Sequence, residues 1–415
     1  MRKHIEIIIR HPLFSGSAIM IVGSNSASVI NTVFHLVTGR LLGPSAYGEL
    51  VALISVIGLL GIIPGAVSLF IVKQISSAKN KQEAGVLIDW FKTKMFTVSL
   101  LFSFFVLVCS PLTASFLHIY KFSYLGLIAL FFLFSLQTGF NRSMLQGLLK
   151  FKEMVISVLA ENGVKLIVSV ILIYLGFQVE GALFTLLISA VFGLYITNSY
   201  LNTRSSNVSN FTPNIKSMMK YTIPVALQTI AVTSLYTTDV ILVKHFFPPH
   251  EAGIYAALST LGKISFFGTG PISTVMFPLV SQRKANGQSY REIFIYSFIA
   301  TALLSLSISI IYFLVPKIAI NMLYGEAYLE AEKLLVWFGI FISFFTLSFS
   351  LINYSLSLGK TRVTILPLIA SVVQIISIIF FHQTLFIVIY ISVMVTALLL
   401  LSLIIYSIHE NKSSV

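Results

Sequence analysis

Twelve stretches of mostly apolar residues follow one another through the sequence, separated by short polar connections. A helix that crosses the hydrocarbon core of a bilayer needs about 20 such residues. Because backbone groups in lipid must bond within the protein, each span has to be helical. The sequence therefore predicts an all-α polytopic membrane protein with about 12 transmembrane helices. The predicted spans are roughly residues 13–38, 46–72, 94–116, 122–146, 155–175, 180–201, 221–247, 251–280, 293–316, 333–357, 363–382 and 384–406.

The composition supports lipid as the solvent of this chain. Hydrophobic residues make up 57% and charged residues only 10%, whereas a soluble domain carries about 25% charged residues. A net charge of +13 could point to nucleic acid, but the basic residues are scattered among short connections. No basic segment is interleaved with aromatic residues in the way that nucleic-acid surfaces require. The lipid bilayer is therefore the expected partner, and nucleic acid is excluded.

The positions of the basic residues orient the spans. Most of the 27 Lys and Arg residues fall in every second connection, in phase with the basic N-terminus that carries Arg2, Lys3 and Arg10. Connections rich in Lys and Arg stay in the cytoplasm. We therefore expect a multi-pass protein of the cytoplasmic (inner) membrane, with both termini in the cytoplasm.

An internal repeat divides the spans into two sets of six. When the chain is shifted by 205 residues, Pro44 falls on Pro249 and Gly48 on Gly253, and a polar linker at 202–220 separates the sets. An even number of spans makes two repeats parallel, and such repeats commonly enclose a substrate path. The prediction is an N-terminal bundle at 1–205 and a C-terminal bundle at 206–415, two parallel six-helix bundles around a central cavity.

Several charged residues lie within predicted spans, where each charge costs about 2.5–3.5 kcal/mol on insertion scales. Glu161 and Lys165 are four residues apart in the fifth span, a spacing that allows an intrahelical ion pair. Alternatively, Lys165 lines a cavity and Glu161 adjusts its charge. Asn31, in the first span, belongs to a polar face that fits either helix packing or a pore lining.

The second half carries its own pair of charges in spans. Lys263 has no acidic residue within one helical turn, so it either reaches a distant partner such as Asp239 or faces a hydrated path. Asp239 fits a structural ion pair or a site that binds a coupling Na⁺ or proton. Arg142 and Arg40 lie near span ends, where an interfacial anchor competes with a role in substrate binding.

Glycine and proline residues mark weak points in the second and eighth spans. Proline removes a helix hydrogen bond and kinks the helix, so matching kinks in the two halves would allow bending, although packing also explains such residues. The sequence contains no phosphate-binding loop and no metal-ligand spacing, so we expect no catalytic residue, no metal and no ATP-binding site. The predicted hinge residues are Gly61, Pro64, Gly65, Gly268, Gly270 and Pro271.

Short motifs in order along the chain resemble one transporter family. The quoted segments are Arg40–Gly48, Gln146–Phe151, Val179–Leu183, Asp239–Tyr255 and Leu323–Tyr328. Together they resemble the polysaccharide transporter (O-antigen flippase-like) family of the multidrug/oligosaccharidyl-lipid/polysaccharide exporter superfamily. The turn at Phe381–Leu385 departs from the Pro and Gly-Ala pattern of that family.

The resemblance implies a flippase rather than an enzyme. Such a protein moves a polyprenyl diphosphate-linked oligosaccharide across the membrane by alternating access, for cell-surface polysaccharide biosynthesis. It implies no cofactor, with Na⁺ or proton coupling left open, and partners among polysaccharide assembly proteins. The candidate substrate-binding residues are then Lys263, Lys165, Arg142 and Arg40, with Asp239 and Glu161 as ion-coupling or ion-pairing residues.

Three alternatives remain open at this point. A cation-coupled multidrug exporter of the same superfamily would favour an acidic cavity, whereas the spans hold more basic than acidic residues. A membrane-bound polysaccharide polymerase or glycosyltransferase would need a large outside loop, and the outside connections are short. A structural scaffold would leave the charges in the spans unexplained.

Overall fold

The computed structural model describes residues 12–78, 80–201 and 215–412. Arg2, Lys3 and Arg10, and the first part of the predicted linker, lie outside the described residues. The described chain forms fourteen α-helices and two short 3₁₀ helices, with no β-strand in these ranges. In chain order the α-helices are α1 (Pro12–Leu60), α2 (Ile62–Ser76), α3 (Lys81–Leu117), α4 (Phe122–Gly147), α5 (Phe151–Tyr174), α6 (Gln178–Tyr200), α7 (Ile215–Ser234), α8 (Thr238–Phe246), α9 (Pro249–Ala285), α10 (Arg291–Leu314), α11 (Pro316–Leu323), α12 (Glu332–Ser357), α13 (Ile365–Phe380) and α14 (Leu385–Lys412).

The helices confirm the predicted polytopic membrane protein. Ten of the described helices are long and apolar enough to cross a membrane, and the bent pair α7 and α8 brings the number to eleven. Helix α1 is too long for one crossing and is interrupted at Gly43, whose φ of 73° and ψ of 172° are not helical. When α1 is divided there, about twelve spans result, as the apolar stretches predict.

Among the described residues, the first compact unit contains 12–34, 60–78, 80–201 and 215–226. Helix α4 is its central element and packs against α2, α3, α5 and α6. The buried side of α4 includes the large residues Phe132, Phe140 and Met144. Lys92 and Lys150 donate to the carbonyl oxygens of Leu201 and Tyr200. These ammonium groups satisfy the carboxyl end of α6, where backbone acceptors have no helical partner.

The second compact unit contains the described residues 35–59 and 227–412. Helix α12 is its most buried span and packs against α9, α10 and α14. Phe338, Phe341 and Ile342 form the centre of its core and are fully buried. In both units the central helix is the fourth span of its half, which fits the predicted internal repeat.

The segment 35–59 belongs with the second unit although it precedes most of the first in sequence. The predicted boundary between two bundles at residue 205 stays a prediction. The compact units group the chain differently near the N-terminus, because residues 35–59 belong to the second unit. Chain continuity therefore joins the two units near residues 34, 59 and 226.

A close helix contact holds this segment in the second unit. A Cβ atom added to Gly48 would lie 2.7 Å from the backbone nitrogen of Gly253, and one added to Gly253 would overlap the carbonyl of Pro44. Only glycine lets two backbones approach so closely. Gly48 and Gly253 are the residues that coincide in the internal repeat, so the two copies of the motif pack on each other within this unit.

Candidate functional site

The seventh span is broken between α7 and α8, and the acidic residue Asp239 lies directly after this break. Helix α7 ends at Ser234 and α8 begins at Thr238, and the two axes differ by 49°. The hydroxyls of Ser234 and Thr238 bridge the break at 2.7 Å. Asp239 therefore lies in the first turn of α8, where the helix dipole favours a negative charge.

Asp239 is almost fully buried, with 1% of its surface exposed. The hydroxyl of Tyr255 on α9 donates to its Oδ2 at 2.7 Å. Its other oxygen, Oδ1, is buried and forms no well-formed hydrogen bond with the described residues. A buried carboxylate is costly unless its oxygens are satisfied, so Oδ1 has capacity for a proton or a cation.

Polar side chains on α13 and α14 continue this network. Gln374 donates to the hydroxyl of Ser392 at 2.8 Å, and Ser392 lies at the hydroxyl of Tyr255. The hydroxyl of Thr396 donates to the carbonyl of Ser392 at 2.7 Å. A chain of polar groups therefore connects four helices in an otherwise apolar interior. Sequence reasoning missed Gln374 and Ser392, and their only signal is a polar residue within a strongly apolar span.

Lys263 lies on α9 in the same unit. Its Nζ is 5.4 Å from the centre of the Tyr236 ring, in the break between α7 and α8. Among the described residues no carboxylate oxygen lies within 4.0 Å of this Nζ. Asp239 interacts with Lys263 electrostatically but does not form a direct ion pair. The ammonium is thus held chiefly by an aromatic face, an interaction that leaves its three donors available.

Glu161 in the first unit pairs with a residue on another helix. Its Oε2 accepts from Arg142 Nη2 at 2.5 Å, and Arg142 also donates to the hydroxyl and carbonyl of Ser157. The ion pair that the sequence allows between Glu161 and Lys165 is not formed. Three acceptors on α5 satisfy Arg142, and its role as an interfacial anchor or in substrate binding stays a prediction. Arg142 and Glu161 therefore join α4 to α5.

Lys165 contacts neutral groups only. Its Nζ donates to Asn31 Oδ1 at 2.5 Å and lies 4.9 Å from the centre of the Phe34 ring. Both partners are on α1, so the polar face noted in the first span supplies one of them. With Glu161 engaged by Arg142, the charge of Lys165 is not neutralised by direct contact with an acid.

Arg40 is exposed in the second unit, and its Nη1 is 3.4 Å from the carbonyl oxygen of Met322. Beside it, the buried hydroxyl of Tyr47 is 2.9 Å from that of Thr260 and 3.0 Å from that of Tyr324. Tyr328 donates to the carbonyl of Gly39 at 2.7 Å. The sequence motif that contains Arg40 thus forms a tyrosine cluster with the segment before the tenth span. Sequence reasoning missed this cluster, since its members are far apart in the chain.

The predicted hinges differ in local structure. Gly61 is the single residue between α1 and α2, and it keeps helical φ and ψ angles of −68° and −13°. Pro64 and Gly65 lie at the start of α2. In contrast, α9 continues as one helix through the remaining predicted hinge residues. Bending at either place stays a prediction. The positions inside α9 are Gly268, Gly270 and Pro271.

Comparison with known sequences identifies the family. The sequence model of the family described as polysaccharide biosynthesis protein matches residues 37–333, well over half of the chain. An uncharacterized membrane protein of Methanocaldococcus jannaschii, MJ1375, is 26% identical over 277 residues. This match covers 61% of the present chain and 64% of the relative.

Comparison with solved structures shows the fold. A multidrug resistance MATE family transporter of the MOP superfamily, solved in an inward-facing conformation, superposes with a TM-score of 0.75 at 14% identity, covering 94% of this chain and 96% of the other. A eukaryotic MATE transporter gives 0.68 at 15% identity and covers 95% of each chain. A MOP superfamily transporter from Pyrococcus furiosus, with a binding pocket of reverse polarity, gives 0.64 at 14% identity and covers 96% and 97%. The chain therefore belongs to the polysaccharide biosynthesis protein family, and it has the fold of MOP superfamily transporters.

Proposed function

We propose that this protein is a flippase that moves a lipid-linked oligosaccharide, attached to a polyprenyl diphosphate, from the inner to the outer leaflet by alternating access. The observation that carries the proposal is the environment of Lys165 and Lys263. Lys165 in the first unit and Lys263 in the second lie well inside spans, and each of these two ammonium groups contacts only neutral groups directly.

A lysine in this setting suits a phosphate ligand. Placing a charged residue in a span costs free energy, so such residues face the protein interior or a hydrated cavity. A charged residue in a span is therefore a candidate functional residue. An aromatic ring lies beside each ammonium, and the Asn31 amide oxygen also accepts from Lys165, so neither charge is neutralised by direct contact with an acid. A diphosphate is the complementary partner, because charge-assisted hydrogen bonds from ammonium to phosphate are among the strongest in proteins.

The family membership supports the glycan part of the proposal. A lipid-linked glycan is a precursor that polysaccharide biosynthesis can consume, and the MOP fold is one that transporters use. This combination supports the proposed transport function over polymerase or transferase chemistry. The expected location is the cytoplasmic membrane, with both termini in the cytoplasm. The expected partners are polysaccharide assembly proteins that use the exported glycan.

Asp239 is the proposed coupling residue. Its buried carboxylate has one oxygen held by Tyr255 and the other without a well-formed bond. A proton or a Na⁺ ion at Oδ1 would neutralise the charge, and its release would leave Lys263 as the nearest compensating charge. Coupling of substrate movement to one of these cations is the role we assign to Asp239.

The proposal is tested in cells that depend on the protein for a surface polysaccharide. Deletion should cause the lipid-linked glycan to accumulate on the inner leaflet. Complementation with Lys165→Ala or Lys263→Ala should leave that accumulation in place, although the variant protein is inserted at wild-type abundance. Lys94→Ala, at an exposed position on α3, is the matched control and should restore export. Full export by both interior variants would refute the site assignment.

A cation-coupled multidrug exporter is the second candidate. The structures that share the fold include multidrug resistance transporters, and Asp239 offers an acid that a cationic drug could contact. Measuring resistance to cationic drugs in the deletion strain separates the two. Drug hypersensitivity without glycan accumulation would favour the exporter, and glycan accumulation with unchanged drug resistance would favour the flippase.

A further inference from the structure

A groove on the second unit combines an apolar wall with a polar end. It has a volume of about 300 Å³ and lies between α10, α12 and α14. Its apolar wall is formed by Phe294, Ile295, Phe298, Ile404 and Ile408. Stacking of Phe294 on Tyr354, with ring centres 3.9 Å apart, fixes the floor of the groove.

Three residues that carry hydrogen-bond donors line the same groove. They are Arg291, with a guanidinium, and Tyr354 and Ser407, with hydroxyls. Within the described part of the chain, none of these groups has a hydrogen-bond partner or an ion pair. The acidic neighbour Glu292 is exposed and does not line the groove. The groove therefore offers a positive charge and two hydroxyl donors with no acceptor from the protein.

All three donors lie at the same end of the unit. Arg291 begins α10, Tyr354 is in the last turn of α12, and Ser407 is in the last turns of α14. The basic residues of the neighbouring connections place this end on the cytoplasmic side by the positive-inside rule. The apolar wall extends from this end along the spans. A ligand with an anionic head and an apolar tail matches this arrangement.

We propose that the groove is a binding site for an anionic phospholipid of the inner leaflet. The phosphate accepts hydrogen bonds from Arg291, Tyr354 and Ser407, and one acyl chain lies against Phe298 and Ile404. Arginine is suited to this contact because its planar donors match phosphate in a bidentate way. Basic pockets between transmembrane helices on the cytoplasmic side recognise anionic lipid head groups. The site is separate from Lys263 and Asp239 and does not depend on the identity of the transported substrate.

The experiment is a lipid titration of the purified full-length protein followed by native mass spectrometry. Phosphatidylglycerol and phosphatidylcholine with identical acyl chains are added separately, and the dissociation constant of the first bound lipid is measured. The wild-type protein should prefer phosphatidylglycerol. Arg291→Gln should raise the dissociation constant of phosphatidylglycerol about tenfold, because a charge-assisted hydrogen bond is lost. It should leave the dissociation constant of phosphatidylcholine unchanged.

Matched variants separate the site from general charge effects. Arg362→Gln removes an exposed arginine at the same end of the unit that does not line the groove, and it should have no effect. Ile404→Trp fills the apolar part of the groove and should weaken the binding of both lipids. Tyr354→Phe should weaken the binding of phosphatidylglycerol, and it tests the site even if Arg291→Gln fails to fold. Equal binding of the two lipids by the wild type, or equal effects of Arg291→Gln and Arg362→Gln, would overturn the proposal. A dimer that Ile404→Trp abolishes would overturn it too, because a second copy would then occupy the groove.

Discussion

At the scale of single residues, the charged groups inside the spans are controlled by partners that are distant in sequence. Glu161 is bound by Arg142, nineteen positions earlier and on another helix. Asp239 is bound by Tyr255 across the turn between α8 and α9. Each acid is thereby fixed, whereas Lys165 and Lys263 contact neutral groups. The difference between fixed acids and available bases underlies the proposed site.

The bond from Tyr255 to Asp239 should be measurable as a coupling energy. Tyr255→Phe leaves a buried carboxylate without its donor, so it should lower the free energy of unfolding by about 1–3 kcal/mol. In an Asp239→Asn background the same change should cost less, because the amide carries no charge. Thermal unfolding of the four proteins of this cycle gives the coupling. Additive effects of the two changes would show that the bond contributes nothing.

Arg142 should stabilise the first unit chiefly by neutralising Glu161. Arg142→Ala leaves the acid in a span without its ion pair, so we expect a loss of about 1–3 kcal/mol in stability. Adding Glu161→Gln should restore part of this loss, since it removes the unpaired charge. The folded fraction after detergent extraction and heating reports the result. A double variant that is less stable than Arg142→Ala would contradict this assignment.

At the scale of helices, contacts between the two copies of the repeated motif determine which compact unit a segment joins. The outer part of α1, residues 35–59, is held in the second unit by two features. One is the backbone contact between Gly48 and Gly253, and the other is the tyrosine cluster of Tyr47, Tyr324 and Tyr328. Both features lie on the motifs that indicate the family.

A methyl group at the Gly253 contact should be destabilising. Gly253→Ala forces the added carbon into the carbonyl of Pro44, so helix α9 must shift, at a cost of about 1–3 kcal/mol for overpacking. Gly268→Ala on the same helix meets nothing within 4 Å and should be neutral or slightly stabilising, because alanine favours helix. Melting temperatures of the two variants provide the comparison. Equal melting temperatures would contradict the close contact.

The sequence predicts helices better than it predicts contacts. Apolar length alone is enough to place about twelve spans, because lipid leaves helices as the only possible structure for them. The sequence could not, however, identify Arg142 as the partner of Glu161. A Glu–Lys pair at four-residue spacing contributes only about 0.2–0.5 kcal/mol, less than a charge-assisted bond to an arginine on a neighbouring helix. Tyr255, Gln374 and Ser392 likewise have no local signature of their shared network.

At the scale of the whole molecule, the distribution of basic residues predicts a cytoplasmic C-terminus. Lysine and arginine in the even-numbered connections oppose translocation of those connections. A fluorescent protein fused after Val415 should therefore fluoresce, and alkaline phosphatase at the same place should be inactive. The reverse result would invert the predicted topology and would move the proposed phospholipid groove to the outer leaflet.

The most direct measurement of the central claim is flipping by the purified protein in vesicles. A polyprenyl diphosphate-linked oligosaccharide is placed in both leaflets, and an external glycosidase that cannot cross the membrane digests the accessible fraction. With the wild-type protein and its driving ion gradient, digestion should pass the half that is exposed at the start and approach completion. Lys165→Ala and Lys263→Ala should each stop near one half, and Lys94→Ala should behave as the wild type. Digestion to completion by both interior variants would contradict the claim that these lysines carry the substrate phosphate.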